Sequence, residues 1–210
     1  MPGMGALLWG GGTAVVLAWF CVQWIDAPLA IFLHAHKPDS TAWLLAFTHI
    51  PNVLVLASVL TLLLAPLRAA WRRPLTRVER TALAMALSLA VAAFLKEALK
   101  YVFGRAWPET WTHGNPSLIH DHVYGFFWLQ RSAGFHSFPS GHATLTSAAM
   151  LPWWERHRWA RIPAALICLL VTVGLLGLNY HFLGDIVAGA ALGSACAVYI
   201  TAALPFRRKG

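Results

Sequence analysis

Long apolar stretches dominate the pattern of hydrophobic and polar positions along this 210-residue chain. A helix needs about 20 apolar residues to cross the hydrocarbon core of a membrane. Six stretches are interpreted as such helices, and they cover 5–24, 50–67, 81–103, 139–154, 160–178 and 184–204. The pattern therefore predicts an all-α polytopic membrane protein with six transmembrane helices, formed by residues 1–210 as a single domain.

Two of these stretches carry further information. The first lacks the basic start and short apolar core of a cleaved signal, so we expect a retained helix. The last contains Gly189 and Gly193, a small-residue spacing that favours close helix packing, either within the chain or between copies of it. The sequence does not indicate an oligomeric state.

Composition agrees with a membrane protein and excludes other classes. Hydrophobic residues make up 58% of the chain and charged residues only 11%, whereas soluble domains have about 25% charged residues. Disorder requires low hydrophobicity and high charge, which this chain does not have. Its three cysteines each lie in an apolar run, so they form no disulfide framework (Cys21, Cys168 and Cys196).

The net charge of +8 divides unevenly along the chain. Eleven of the 16 basic residues follow the second stretch, the fourth stretch or the last one: Arg68, Arg72, Arg73, Arg77, Arg80, Arg156, Arg158, Arg161, Arg207, Arg208 and Lys209. With six spans these residues share one side, which the positive-inside rule makes cytoplasmic. Both termini are then cytoplasmic, and the loops 25–49, 104–138 and 179–183 face outward. The arginines lack a recognition motif, so we expect contact with membrane lipids and no nucleic acid.

Charged residues near a membrane span suggest function by default, and the first cluster of them lies in 96–108. Lys96 and Lys100 are four residues apart and share one helical face. Glu97 could neutralise one of them, and Arg105 follows the predicted helix end. The alternative interpretation is a set of interfacial anchors whose side chains reach toward water.

The second cluster, Phe-Pro-Ser-Gly-His at 138–142, has the signals of a helix start, with Ser140 as a possible N-cap. Free N–H groups and the helix dipole make such a start an anion site. Gly141 lets an anion approach the backbone, and His142 then stands beside it, placed to give or take a proton. A simple capped helix with an incidental histidine is the alternative.

The third cluster is His181 and Asp185, four residues apart at the start of the last stretch. A carboxylate bonded to one ring nitrogen leaves the other nitrogen as a nucleophile or base. A helix-capping aspartate beside an unrelated histidine is the alternative. All three clusters fall at outward ends of spans, and together they are typical of phosphoryl transfer through a phosphohistidine. The chain shows neither a carboxylate cluster for Mg²⁺ nor close metal-ligand spacing of histidines, so we predict no cofactor and no metal.

These motifs resemble those of the type 2 phosphatidic acid phosphatase (PAP2) superfamily, membrane relatives of vanadium haloperoxidases. The family has Lys-x6-Arg-Pro, Pro-Ser-Gly-His and Ser-Arg-x5-His-x3-Asp motifs on six membrane helices. The resemblance spans about 96–189. Pro-Ser-Gly-His at 139–142 matches fully, His181 and Asp185 match the end of the third motif, and Lys100 and Pro108 match the ends of the first.

The resemblance implies a role for each matching residue. His181 would take the phosphoryl group, and Asp185 would orient and activate His181. His142 would protonate the leaving oxygen. Lys100, Ser140 and the Gly141 backbone would bind phosphate oxygens, with Lys96 as an accessory. The expected location is a bacterial inner membrane, with the active site facing the periplasm.

The chain departs from the family pattern at two positions. Trp107 replaces the arginine of the first motif, and Gly174-Leu175 replaces Ser-Arg in the third. Since alternate side chains of an extended segment point the same way, we hypothesise that Arg105 replaces the first arginine. Arg131 is a weaker candidate for the second arginine.

The long outward loop 104–138 is rich in aromatics and histidine over 109–137, which suggests a lid or substrate wall, with a floppy ectodomain loop as the alternative.

The leading functional hypothesis is a metal-independent phosphatase that hydrolyses a lipid phosphate or pyrophosphate at the outer membrane face. The family's bacterial substrates include undecaprenyl pyrophosphate, phosphatidic acid, phosphatidylglycerol phosphate and lipid A phosphates, and the sequence does not choose among them. A lipid phosphotransferase would share the first half-reaction. The two absent arginines motivate a third hypothesis, a non-catalytic lipid-phosphate binding or transport protein. An ion channel or proton relay built on Lys96, Glu97 and Lys100 is the most distant alternative.

Overall fold

A computed structural model describes residues 4–38, 40–70, 74–111 and 114–204. The described residues form helices and loops, with only isolated β-bridges. The α-helices are α1 Met4–Phe20, α2 Asp26–Ala35, α3 Ala42–Thr48, α4 Ile50–Ala70, α5 Arg77–Phe103, α6 Leu118–Asp121, α7 Gly141–Arg156, α8 Arg161–Gly177 and α9 Leu183–Ala203. Five of the eleven basic residues that are predicted to be cytoplasmic lie outside the described residues: Arg72, Arg73, Arg207, Arg208 and Lys209.

Five helical segments are long and apolar enough to cross a membrane, and they confirm five of the six predicted spans. They are Gly10–Ala35, Ala42–Arg68, Arg77–Phe103, Arg158–Gly177 and Leu183–Ala203. The span predicted at 139–154 corresponds to α7, which has 16 residues. At about 1.5 Å per residue it is shorter than a hydrocarbon core of about 30 Å. A sixth span therefore stays a prediction.

The expected outward loop at 25–49 is wrong over most of its length. A π-helical segment, Cys21–Ile25, joins α1 to α2, so the first helical region continues to Ala35. The chain then turns and resumes as α3. Asp26 lies just after the first apolar stretch in sequence, and its side chain is buried inside the protein. Its polarity therefore marks an internal contact rather than the start of a loop.

The core forms where α7 packs against α5, α8 and α9. Small residues allow this close packing. A Cβ on Gly189 would overlap the backbone oxygen of Ser140, and one on Gly193 would overlap the oxygens of Thr144 and Ser147. The small-residue spacing seen in the sequence therefore serves contact between α7 and α9 within the chain.

The two ends of the helix bundle differ in charge. One end holds the start of α5 and the end of α7, where Arg156 donates from its Nη1 to the backbone oxygen of Arg80 over 3.0 Å. Its Nη2 donates to the backbone oxygens of Thr201 and Leu204, close to the end of α9. The opposite end holds the end of α5 and the starts of α7 and α9. The three sequence clusters therefore meet at the end opposite the arginines.

Substitution of Gly193 should test the contact between α7 and α9. We expect Gly193→Ala to destabilise the protein by about 1–3 kcal/mol, because overpacking at a close contact forces side chains or backbone to shift. The matched control is Gly12→Ala, since a Cβ on Gly12 would meet no atom within 4 Å. The measurement is thermal unfolding in detergent, and equal midpoints for the two variants would contradict this packing.

Candidate active site

The second and third clusters meet at the start of α7. Ser140 is the N-cap of α7, and its Oγ accepts a hydrogen bond from the Ala143 N–H over 3.4 Å. The Ser140 N–H donates to the backbone oxygen of Asp185 over 3.0 Å. The predicted N-cap is thus confirmed, and this backbone bond ties the start of α7 to the start of α9.

The start of α7 offers an anion both backbone donors and cations. The N–H groups of Gly141 and His142 make no hydrogen bond to any other described residue. A Cβ on Gly141 would lie 3.6 Å from Lys100 Nζ and 3.5 Å from Lys96 Cδ, so both lysine side chains reach this backbone. The Nζ of Lys96 is paired with Glu97. The helix dipole, these N–H groups and Lys100 therefore favour the same anion.

The two candidate catalytic histidines face each other at this point. Their ring centroids are 6.2 Å apart. His181 is 3% exposed, and its Nδ1 lies 3.5 Å from Asp185 Oδ2. Contacts of this length are common in unliganded sites and shorten when substrate binds. Because Nδ1 faces the carboxylate, Nε2 is the nitrogen of His181 that is left for chemistry.

The Asp185 carboxylate is held by several donors. Its Oδ2 accepts from Ser137 Oγ over 2.6 Å and from the Phe182 N–H over 3.1 Å. Its Oδ1 accepts from Arg105 Nη1 over 2.5 Å. These bonds fix the rotation of the carboxylate, so that one oxygen faces His181 and the other faces Arg105.

Burial keeps His181 neutral near pH 7. It lowers the pKa of His181 below the usual histidine value, and the nearby Lys100 ammonium acts in the same direction. The Asp185 carboxylate opposes both effects and does not overcome them. A neutral imidazole has a free electron pair on one nitrogen, which a nucleophile requires.

Arg105 lies behind Asp185 rather than beside the anion position. Its side chain is fully buried, and Nη2 donates to Asp26 Oδ2 over 2.8 Å and to Tyr124 Oη over 3.0 Å. Burial alone would lower the pKa of Arg105, but the carboxylates of Asp185 and Asp26 outweigh it and raise the pKa. Both carboxylates are bound to the buried guanidinium, which favours a structural role for Arg105, and the hypothesis that Arg105 binds phosphate stays a prediction.

The second proposed replacement, Arg131, is exposed in the long loop. Among the described residues no hydrogen bond or ion pair joins it to His181, His142 or Lys100. The described residues of the long loop, 104–111 and 114–138, include contacts with the helix bundle. The loop contains α6 and a short 3₁₀-helix, and Tyr124 Oη donates to the backbone oxygen of Val22 over 2.5 Å.

The model of the PAP2 superfamily matches residues 81–209, which is more than half of this chain. The chain belongs to the PAP2 superfamily. Together with its five long apolar helices, this membership identifies an integral membrane protein. The matched region contains α7 and all three motif clusters and leaves out α1 to α4.

Similar proteins agree with this membership. A lipid A 1-phosphatase of Rhizobium johnstonii is 35% identical over 109 residues, which cover 49% of this chain and 39% of the relative. A lipid A 1-phosphatase of Rhizobium etli is 35% identical over 108 residues, which cover 49% of this chain and 41% of that relative. The chain thus matches about two fifths of the length of these curated relatives.

The fold is similar to that of a transmembrane PAP2-type phosphatidylglycerolphosphate phosphatase from Bacillus subtilis. The crystal structure of that protein superposes with a TM-score of 0.55 and 17% sequence identity, over 91% of this chain and 94% of the other. At this identity the likeness shows a shared fold.

The two positions where PAP2 proteins have arginine are apolar in this site. Trp107 is buried, and its ring centroid lies 5.1 Å from that of His181. Leu175 is fully buried in the cluster with Val171 and Ile186, below the site. Neither position supplies a cation, so Lys100 and the start of α7 are the groups suited to an anion that the clusters bring together, with Lys96 beside them.

Sequence reasoning missed two residues of the site. Asp26 binds Arg105, and Ser137 binds Asp185. A signal for Asp26 was present, because it is the one Asp, Glu, Lys or Arg in residues 1–36 and a lone carboxylate in an apolar segment suggests function. Ser137 had no such signal, since a serine in a loop is common.

Among the described residues, no group of three or more His, Cys, Asp or Glu side chains is arranged to hold a metal ion.

Substitution of Arg105 should separate a structural role from phosphate binding. We expect Arg105→Ala to lower the free energy of unfolding by about 3–5 kcal/mol, because it leaves the buried carboxylates of Asp26 and Asp185 without their cation. Arg131→Ala, at an exposed arginine, is the control and should change stability little. The measurement is thermal unfolding in detergent without substrate. Unchanged stability of Arg105→Ala would refute the structural role.

Proposed function

We propose that this protein is an integral-membrane phosphatase that hydrolyses a lipid phosphate or pyrophosphate through a phosphohistidine, without a metal ion. One observation carries the proposal. His181 has Asp185 behind its Nδ1 and faces His142, at a helix start that also receives Lys100. A nucleophile with its orienting carboxylate, a proton donor and an anion-binding helix start are the groups that phosphoryl transfer requires.

In the first step, Nε2 of His181 attacks the phosphorus atom while the bond from phosphorus to the lipid oxygen breaks. His142 takes up a proton when the anionic phosphate binds beside it and donates this proton to the leaving oxygen, so the lipid departs as an alcohol, or as a monophosphate when the substrate is a pyrophosphate. Positive charge develops on the His181 ring, and Asp185 stabilises it. The start of α7, Ser140 and Lys100 stabilise the phosphoryl oxygens.

In the second step, the now neutral His142 takes a proton from water. The water oxygen bonds to phosphorus as the bond from phosphorus to His181 breaks, and inorganic phosphate leaves. His142 ends the cycle protonated and His181 neutral. Both steps need His181 buried and oriented, which the contacts of Asp185 provide.

Relatives support a lipid as the substrate. Those with 35% identity are named lipid A 1-phosphatases, and the similar fold is that of a phosphatidylglycerolphosphate phosphatase. The aromatic residues near the site also suit the membrane interface, since Trp111 stacks on Tyr180 and contacts Trp107. A lipid carrying a phosphate at the level of the head groups is the substrate class that fits.

The second candidate function is a lipid phosphotransferase, in which a lipid hydroxyl replaces water in the second step. The third candidate function is a non-catalytic lipid-phosphate binding or transport protein. It is motivated by two apolar residues, Trp107 and Leu175, at the positions of two family arginines. The retained pair of His181 and Asp185 favours catalysis, because binding alone needs no oriented nucleophile.

An assay of purified protein in detergent with EDTA should test the mechanism. The panel contains phosphatidic acid, phosphatidylglycerol phosphate, undecaprenyl pyrophosphate and lipid A 1-phosphate. We expect release of inorganic phosphate from at least one lipid, and a loss of at least about 10³-fold in His181→Ala, because the covalent step has no other nucleophile. The measurement is phosphate release over time.

His36→Ala is the matched control, since His36 is exposed at the end of α2, and it should keep wild-type turnover. Activity that survives in His181→Ala, or that requires an added divalent metal, would contradict the mechanism. Transfer of the phosphoryl group to an added lipid acceptor, in place of phosphate release, would favour the phosphotransferase. Specific lipid binding without turnover would favour the binding protein.

The charge of the bundle ends supports an orientation with the site facing the periplasm of a bacterial inner membrane. Arg68, Arg77, Arg80, Arg156, Arg158 and Arg161 lie at the end opposite His181. The positive-inside rule makes that end cytoplasmic. With six spans, both termini are also cytoplasmic.

Labelling with a membrane-impermeant maleimide should test this orientation. In a cysteine-free background, Arg131→Cys in the long loop should react in intact spheroplasts, because the loop faces outward. Arg158→Cys is the matched variant at the other end, also exposed, and it should react only after the membrane is permeabilised. The reverse pattern would place the site in the cytoplasm.

A further inference from the structure

A charged side chain from the first helical region enters the site. Asp26 begins α2, and its side chain is 1% exposed. A charge inside a membrane helix is costly unless it is paired, and such residues face the bundle interior. The region that matches the PAP2 family begins at residue 81, so Asp26 lies outside it.

Asp26 binds two groups that position Asp185. Its Oδ2 accepts from Arg105 Nη2 over 2.8 Å, and its Oδ1 accepts from the Gly184 N–H over 2.8 Å. Gly184 immediately precedes Asp185, and a Cβ there would lie 2.7 Å from Asp26 Oδ2. Glycine is therefore required at 184 for this close approach, and Asp26 holds both the cation and the backbone next to Asp185.

We propose that Asp26 is a positioning residue of the phosphoryl-transfer site, which acts on His181 through Arg105 and Asp185. This role of Asp26 rests on the phosphatase function proposed above. In this role Asp26 controls the protonation of His181, and this protonation can be measured without any substrate.

The effect of Asp26 on His181 is electrostatic. Two carboxylates share one guanidinium, with Asp185 on Nη1 and Asp26 on Nη2 of Arg105. Without the charge of Asp26, Arg105 would neutralise Asp185 alone, and the surroundings of His181 would become more positive by one unit. Positive charge develops on His181 during the attack on phosphorus, so Asp185 would stabilise that charge less.

Other groups also face His181. Besides Asp185 of α9, they are Lys100 of α5 and His142 of α7, and Lys96 and Glu97 form a pair beside Lys100. Among the described residues none of these five groups contacts Asp26 through a hydrogen bond or ion pair. A change at Asp26 therefore reaches His181 by way of Arg105 and Asp185.

The test compares Asp26→Asn with wild type. The amide keeps an acceptor for the Gly184 N–H and nearly the same volume, and it removes the charge. The probe is NMR of protein in detergent with ¹⁵N-labelled histidine, and His181→Ala assigns the His181 signal. We expect Asp26→Asn to lower the pKa of His181. Glu155→Gln, an exposed carboxylate at the opposite end of α7, is the matched control and should not change it.

The sign of the shift separates positioning from loss of structure. Burial holds the pKa of His181 below the usual value of about 6.5. A loosened site would let water in and move the pKa up toward that value. An upward shift or no shift in Asp26→Asn would therefore overturn the inference. Should Asp26→Asn fail to fold, Asp26→Ser also removes the charge and keeps an oxygen acceptor, and the same downward shift is expected.

The path through Arg105 has its own test. In an Arg105→Gln background, adding Asp26→Asn should leave the pKa of His181 nearly unchanged, because a buried carboxylate without its cation takes up a proton and Asp26 then carries no charge to remove. An equal shift in both backgrounds would show that Asp26 acts directly, which would overturn the proposed path. Asp26→Glu keeps the charge and should restore most of the wild-type pKa.

Turnover gives a second readout. For a lipid that wild type hydrolyses, we expect Asp26→Asn to lower kcat by about 10- to 100-fold, as is typical when a partner behind an active group is removed. KM should not change, and the acid limb of kcat/KM should move to lower pH, as in the NMR titration. Wild-type kcat in Asp26→Asn would overturn the inference. If wild type hydrolyses no lipid, the proposed function fails, and the NMR titration still decides the role of Asp26.

Discussion

The buried guanidinium of Arg105 is the group on which the site depends. It bridges Asp26 of the first helical region and Asp185 of the last helix, and both carboxylates are fully or almost fully buried. Buried charges are stable only when they are paired and hydrogen-bonded. The chain therefore has to bring α2, the segment after α5 and α9 together before any of the three charges can be buried.

The long loop completes this arrangement. Arg105 lies at its start, and the rings of Tyr124, Phe126 and Phe182 surround the guanidinium, at 4.3–5.3 Å from its Cζ. Aromatic faces attract cations and exclude water. The loop also supplies Ser137, which donates to Asp185. A segment that looked like a lid over the substrate is therefore also the wall that buries the ion pairs behind His181.

The front of the site carries few cations. Lys100 and the start of α7 face His181 and His142, while Trp107 lies against the His181 ring at the position of a family arginine. A tryptophan there packs against the ring of His181 and does not bind an anion. The site thus depends more on the helix start and on Lys100 than the PAP2 motifs alone would indicate.

The sequence alone determined the class of protein, five of the spans, the cap at Ser140 and the group formed by His142, His181 and Asp185. Each of these depends on local properties: long apolar runs, helix-start residues and helical spacing. Only the tertiary structure showed that Arg105 pairs with two buried carboxylates, whereas spacing along an extended segment had suggested a contact with phosphate. It also decided the role of Asp26, since Asp26 and Arg105 are far apart in sequence and a charge pair between distant segments leaves no local pattern. What a charged side chain does depends on which opposite charge is buried beside it, and the packing of helices determines that.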